Sequence, residues 1–153
     1  MEYSGETAIG IWPARSGSFA RVLVGRLVEV RLGRLASLAD LESLNAAVVA
    51  AVRSAGPGVV LCADHRSASL LPSDVADPWA RAMRAVNRSL SRGAILLNPA
   101  NTTFNLQIQR VVQCAGSDAR RVFVDRQELQ DWLDSRLSDA ERIAMRLFLD
   151  GPA

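Results

Sequence analysis

Residues 58–74 read GVVLCADHRSASLLPSD. Residues 59–63 are apolar without alternation, and the run stops abruptly at Asp64, His65, Arg66 and Ser67. A short unbroken apolar run that ends in a polar cluster is the pattern of a strand covered on both faces, with its hydrophilic tail at the sheet edge. Covering both faces needs a layer of structure on each side, so this stretch already points to helices packed over a largely parallel sheet.

The flanking segments repeat the pattern. Upstream, AIGIWPA (8–14) and FARVLVGRLVEVRL (19–32) read as two strands joined by RSGS. In the second, apolar residues alternate with Arg21, Arg26, Glu29 and Arg31, and the phase shifts near Gly25, which predicts a bulge. The polar alternate face predicts a strand wetted on one side, hence an antiparallel hairpin. Then SLADLESLNAAVVAAVRSAG (37–56) opens with Ser37 and Asp40 in capping-box spacing. Leu41, Leu44, Val48 and Val52 share a helical face there, and Gly56 supplies the stop.

Downstream, Asp77–Pro78 predicts a helix start, and Trp79, Met83, Val86 and Leu90 make the apolar stripe of a helix ending at Gly93. AILL (94–97) reads as a buried strand, and a helix from about Asn101 to Ala115 turns Phe104, Ile108, Val111 and Ala115 inward. RVFV (121–124) is the last strand. Asp125 with Glu128 caps a helix that buries Leu129, Trp132 and Leu133, and Ser138 with Glu141 starts a final helix to about Leu149. The result is an α/β chain: a mixed, largely parallel sheet with an N-terminal β-hairpin and covering helices, in the order β-β-α-β-α-β-α-β-α plus a C-terminal helix. The 153 residues carry no linker or repeat, so one domain is expected.

This order resembles the STAS domain, the sulphate transporter and anti-sigma-factor antagonist fold, and within it the soluble bacterial SpoIIAA-like proteins related to stage-II sporulation regulators. The resemblance covers about residues 7–137, with 138–149 as an extra helix, and rests on element order, the acidic strand end at Asp64 and the closing RRVFVDRQELQDWL. It implies a non-enzymatic protein-interaction module acting in signalling, with a regulatory kinase or anti-sigma-type protein as partner. In the anti-sigma antagonists, the loop after the central strand carries Asp-Ser-Ser/Thr-Gly with a phosphorylated hydroxyl. Here Asp64, His65, Arg66, Ser67, Ala68 and Ser69 stand there, so the acid matches while the adjacent hydroxyl pair and the glycine do not.

Composition bounds the alternatives. Hydrophobic residues make up 49% and no apolar run approaches the length of a membrane span. MEYSGETAIG lacks a basic start and apolar core, so cytoplasmic residence is the default expectation. All 18 basic residues are arginine and the net charge is only +2, which decides nothing by itself; no nucleic acid is expected, because no aromatic residues interleave with the arginine row at 81–92. Cys62 and Cys114 read as buried thiols, and with one histidine they offer no metal-ligand spacing. No cofactor is expected. Catalysis by Cys62 and His65 is disfavoured because residues three apart on a strand face opposite ways.

In parallel sheets, ligands gather at the carboxyl ends of strands. Residues 64–69, 98–103 and Asp125 should therefore share one rim, and Asp64, His65, Arg66, Ser67 and Ser69, extending to Ser73, are the candidate interaction and regulatory residues. Ser67 or Ser69 is the candidate phosphorylation site. Arg81, Arg84, Arg88 and Arg92 recur at helical spacing without an intervening acid, a candidate basic face for an acidic protein or anionic lipid headgroups. Trp12, Trp79 and Trp132 read as packing anchors. The alternative function is binding or sensing of a small apolar or anionic ligand, lipid included, between the sheet and a movable helix. A homodimer through the hairpin edge is a further option.

Overall fold

The computed structural model describes residues 10–151. The first part of the strand expected at 8–14 lies outside them. The sheet has six strands in sequence order: β1 (Gly10–Pro13), β2 (Phe19–Val22), β3 (Leu27–Arg31), β4 (Val59–Asp64), β5 (Leu90–Leu96) and β6 (Arg120–Phe123). The pairs β1–β2 and β2–β3 are antiparallel, whereas β3–β4, β4–β5 and β5–β6 are parallel. Helices α1 (Leu38–Ala55), α2 (Ala76–Asn87) and α3 (Thr102–Ala115) bridge the parallel strands, and α4 (Arg126–Asp134) and α5 (Asp139–Asp150) follow β6.

Parallel crossovers are right-handed, and here each steps in the same direction across the sheet, so α1, α2 and α3 fall on one face. Their apolar residues pack there with Val59, Leu61 and Ala63 of β4 and Ile95 of β5. The opposite face of β4 and β5, Val60, Cys62, Ala94 and Leu96, is covered by Leu129 and Leu133 of α4 and Met145, Phe148 and Leu149 of α5. All six residues of β4 are buried, as its uninterrupted apolar pattern requires. Burying one such Leu or Phe contributes roughly 1.5–3 kcal/mol, so the two layers together hold the central strands from both sides.

Three expectations need correction. The phase shift at Gly25 is a chain reversal rather than a bulge: residues 23–26 turn between β2 and β3, with Gly25 at φ +57°. A Cβ there would lie 2.1 Å from Glu141 Oε2, which accepts the Arg26 N–H at 2.8 Å, so this turn must present bare backbone to the start of α5. The polar face of β3 is not wetted either. Glu29 is buried and Arg31 half-buried, because α5 lies over them. Finally, α2 begins at Ala76, placing Pro78 third in the first turn, where its missing N–H has no intrahelical role. It ends at Asn87, and Leu90 opens β5 opposite Val59, because pairing with the buried β4 outweighs the helical period.

The caps explain where the other helices start. Ser37 Oγ accepts the Asp40 N–H at 3.2 Å, and the Asp40 carboxylate accepts Ala36 N–H at 2.9 Å and Arg15 Nε at 3.0 Å, tying α1 to the β1–β2 connection. Asp125 caps α4, and Ser138 with Glu141 forms a complete capping box on α5. Among the described residues no helix is long and apolar enough to cross a membrane.

Candidate functional site

At the carboxyl end of β4, strand alternation sends two consecutive residues to opposite faces. Asp64 turns towards α5. Arg66 Nε and Nη2 donate to its two carboxylate oxygens at 2.9 and 3.0 Å, the Arg66 N–H donates to Oδ1 at 3.0 Å, and Arg31 Nη2 lies 3.3 Å from Oδ2. Burial works against ionisation of this carboxyl, but the Arg66 hydrogen bonds and the two positive charges prevail and hold its pKa below the ordinary aspartate value.

The same guanidinium groups carry the contact onward. Arg66 Nη2 donates to the Leu149 carbonyl at 2.8 Å and Arg31 Nη2 to the Phe148 carbonyl at 2.7 Å, while Arg31 sits 4.5 Å over the Phe148 ring. Arg126 adds a bond to the Arg146 carbonyl at 3.1 Å. Cations placed on the last carbonyls of a helix satisfy orphan acceptors and complement its dipole. Asp64 and Arg66, expected on an open rim, are therefore a latch for the C-terminus of α5. Sequence reading assigned Arg31 only a place in a strand alternation; that it stands opposite Asp64 follows from the β3–β4 register, which no local pattern records.

His65 turns to the other face. Its ring stacks on Trp79 at 5.6 Å and tilts against Phe104 at 6.2 Å, and its Nδ1 is buried without a hydrogen-bond partner. Burial outweighs the opposing pull of Asp64 and, with a smaller push from Arg120, takes its pKa down to about 3, so the imidazole is neutral at physiological pH. Cys62 lies in the α4–α5 layer, where burial pushes its thiol well up, and the sheet separates it from His65. The pair is not a nucleophile and base. Cys114, expected buried, is exposed on the outer face of α3, out of phase with Ile108, Val111 and Ala115.

Beyond Arg66 the chain reaches the surface. Ser67, Ser69 and Ser73 are exposed, and Leu70 is 61% exposed. The loop is pinned to α3: Asn101 Nδ2 donates to the Ala68 carbonyl at 3.1 Å, and Gln107 brackets the Leu71 backbone, accepting its N–H at 3.0 Å. Asn101 is thereby diverted from capping, so α3 starts without a side-chain cap and without an acid in its first turn. Ser69 and Leu70 border a shallow groove with Thr102 and Thr103 at that helix start, and Thr103 also borders a second groove that reaches Leu106, itself 65% exposed. Of the expected rim, residues 67–73 and the start of α3 come together at the surface, whereas Asp64 and His65 are buried beneath it.

The arginine row is shorter than its spacing predicts. Arg81, Arg84 and Arg88 are exposed along α2, and Arg84 Nη2 is engaged by the Cys114 carbonyl at 2.6 Å. Arg92 lies in β5 and stacks 4.7 Å over Trp132 on the opposite side of the sheet, because the helix has already ended. Trp79 is buried, and Trp12 and Trp132 pack against the two cores, as expected of anchors.

Between α1, α2 and the sheet lies a cavity of about 40 Å³ lined by apolar side chains, among them Leu44, Val48, Trp79 and Met83, together with His65 and Arg120. Arg120 escaped sequence reading, although strand parity in RRVFV turns one of its two arginines inward. It is 8% exposed, and Gly93, opposite it on β5, leaves its stem an open path across the sheet.

No family model and no curated protein matches the chain. Among solved structures it is similar to an uncharacterised protein of the DUF3478 family with a SpoIIAA-like fold from Shewanella loihica PV-4. The two share 19% identity over 82% of this chain and 91% of that one, with a TM-score of 0.50. The chain thus has a SpoIIAA-like, STAS-type fold, as the element order implied, with one more N-terminal strand than expected from the sequence.

Proposed function

We propose that this chain is a non-enzymatic, STAS-type interaction module that docks a protein partner through residues 67–73 and the first turns of α3. One observation carries the reading: exposed Ser67, Ser69 and Leu70 are held against the uncapped start of α3 by Asn101 and Gln107, with Leu106 one turn further along. A fixed loop that shows leucine and hydroxyl groups beside unsatisfied backbone N–H donors offers apolar contact and hydrogen bonding together. A phosphoryl group on Ser69 would be attracted to that helix start, so the same residues support regulation by a kinase. The exposed Arg81 in the second turn of α2 adds positive charge for an acidic partner, with Arg88 at the far end of that helix beside the start of β5.

The test is affinity capture from the native host with the wild-type chain and a Leu70→Asp/Leu106→Asp variant, compared quantitatively. Both substitutions fall on exposed sites, so the fold should persist, checked by circular dichroism. The reading expects proteins enriched by the wild type to drop at least tenfold with the variant. An unchanged set of captured proteins would refute it.

A further inference from the structure

Where arginines converge beside the end of α5, a carboxylate stands between them, since Arg31 and Arg66 share Asp64. At the amino ends of β5 and β6, Arg92, Arg121 and Arg136 come together without one. Arg92 and Arg121 both stack on the Trp132 ring, at 4.7 and 5.0 Å. Arg136 joins them through an exchange between two Ser-Arg pairs: Arg92 Nη1 donates to Ser135 Oγ at 3.4 Å, and Arg136 Nη1 donates to Ser91 Oγ at 2.7 Å. Arg92 Nη1 also donates to the Trp132 carbonyl near the end of α4. Every one of these acceptors is neutral, and none of the three arginines enters an ion pair among the described residues. The acids of α4 do not neutralise the group: Asp131 accepts from Gln127 at 2.9 Å, Asp134 pairs with Arg146 at 3.3 Å, and Glu128 is exposed and unpaired. Burial first, and then the charges of Arg136 and Arg121, lower the Arg92 pKa from its ordinary value, so the guanidinium groups repel one another.

We propose that this cluster is a recognition site for a phosphorylated serine or threonine on a partner protein, its phosphoryl oxygens taken by the free donors of Arg92, Arg121 and Arg136. A phosphate monoester carries close to two negative charges at neutral pH, which suits a group of unpaired cations better than a single carboxylate does. Its terminal oxygens can accept from separate guanidinium groups, whereas the planar carboxylate matches one fork. Clustered arginines are a recurrent means of reading phosphorylated motifs. Guanidinium groups already held by a ring and by serine hydroxyls lose little freedom on binding. A membrane surface is disfavoured, because no large exposed apolar side chain belongs to the cluster. A nucleic acid is disfavoured as well, because the Trp132 ring is already covered by two cations and offers no platform for a base. The site stands at the opposite end of the parallel strands from residues 67–73 and is independent of the docking face.

The experiment titrates three peptides of one sequence, Ala-Gly-X-Gly-Ala with blocked ends and X as phosphoserine, aspartate or serine, into the full-length protein at low ionic strength. Backbone amide signals are followed by NMR. The phosphoserine peptide should give saturable shifts confined to residues 91–92, 121 and 132–136, with the aspartate peptide at least roughly tenfold weaker and the serine peptide inert. Arg121→Ala should weaken the phosphoserine peptide at least roughly tenfold while leaving the fold intact, because the side chain is exposed and touches only the Trp132 ring. Arg81→Ala, the same loss of charge on α2, should bind the peptide as the wild type does, and so should Leu70→Asp/Leu106→Asp, which disables the docking face alone. Absence of a saturable shift, equal affinity for the aspartate peptide, or full affinity in Arg121→Ala would overturn the proposal. So would an equal loss in Arg81→Ala, which would reduce the effect to net charge. Cosedimentation with phosphatidylcholine vesicles containing phosphatidic acid, abolished by Arg121→Ala, would also overturn it and assign the cluster to a membrane.

Discussion

The two faces of β4 differ in how they treat charge. Towards α5, the charge at the strand end is paired: Asp64 is bracketed by Arg31 and Arg66, and each of these arginines also donates to a carbonyl at the end of that helix. Towards α2, the strand end presents a neutral ring instead: His65 is buried against Trp79 and Phe104, and its Nδ1 has no partner. The paired charges hold the C-terminus of α5 to the strand end, whereas the neutral ring packs between α2 and α3. Two adjacent residues of one sequence motif therefore serve different ends, and strand alternation is what divides them.

Four substitutions probe that contrast. Asp64→Ala should do the most damage, because it strands two half-buried arginines. A loss of about 3 kcal/mol is expected from breaking such a network, measured by urea denaturation with an unchanged slope. A loss under about 1 kcal/mol, the ordinary value of a surface pair, would place Asp64 on an open rim after all.

His65 should act through pH rather than through contacts. Its folded pKa lies near 3, below the ordinary value of 6.5, so the unfolded chain binds the proton first as pH falls. Stability from this group is complete above about pH 6.5 and is lost progressively towards pH 3, at up to about 1.4 kcal/mol per pH unit. Asp64, also depressed, adds its own loss only below about pH 4. In His65→Phe the slope between pH 6 and 4.5 should flatten, with stability at pH 7 little changed because an unpartnered buried nitrogen is removed. Denaturation midpoints across that range check it, and a slope equal to that of the wild type would contradict a buried neutral imidazole.

The smallest effect belongs to the α2 arginines. Arg81→Ala and Arg88→Ala should each shift stability by less than about 0.5 kcal/mol, since both lie on an exposed helix face. A larger loss by thermal unfolding would mean that they hold the fold instead of facing a partner.

The sequence shows some of this directly and conceals the rest for physical reasons. The central strand was readable because both of its faces are apolar, and so were the inward residues of α3 and the Ser138–Glu141 cap, because period and capping chemistry are local. The turn at Gly25 was mistaken for a bulge because either feature breaks alternation, and only the Glu141 contact, 115 residues away, distinguishes them. The helical period that continues to Gly93 yields to strand pairing that no local pattern records. At the site, the composition of 64–69 drew attention correctly, but which residues are open depends on α5, whose docking is decided by arginines from β3, α4 and the loop itself. Arg120 was hidden because the expected strand began at Arg121, and an arginine at a strand start normally reads as exposed.

Hydrogen–deuterium exchange of Asp64→Asn against the wild type tests the division of the strand end most directly. The account predicts faster exchange across α5, residues 139–150, where the latch holds the helix, with residues 67–73 and the start of α3 unchanged. Protection retained throughout α5, with exchange accelerated in 67–73 instead, would show that Asp64 serves the surface loop and that the latch does not exist.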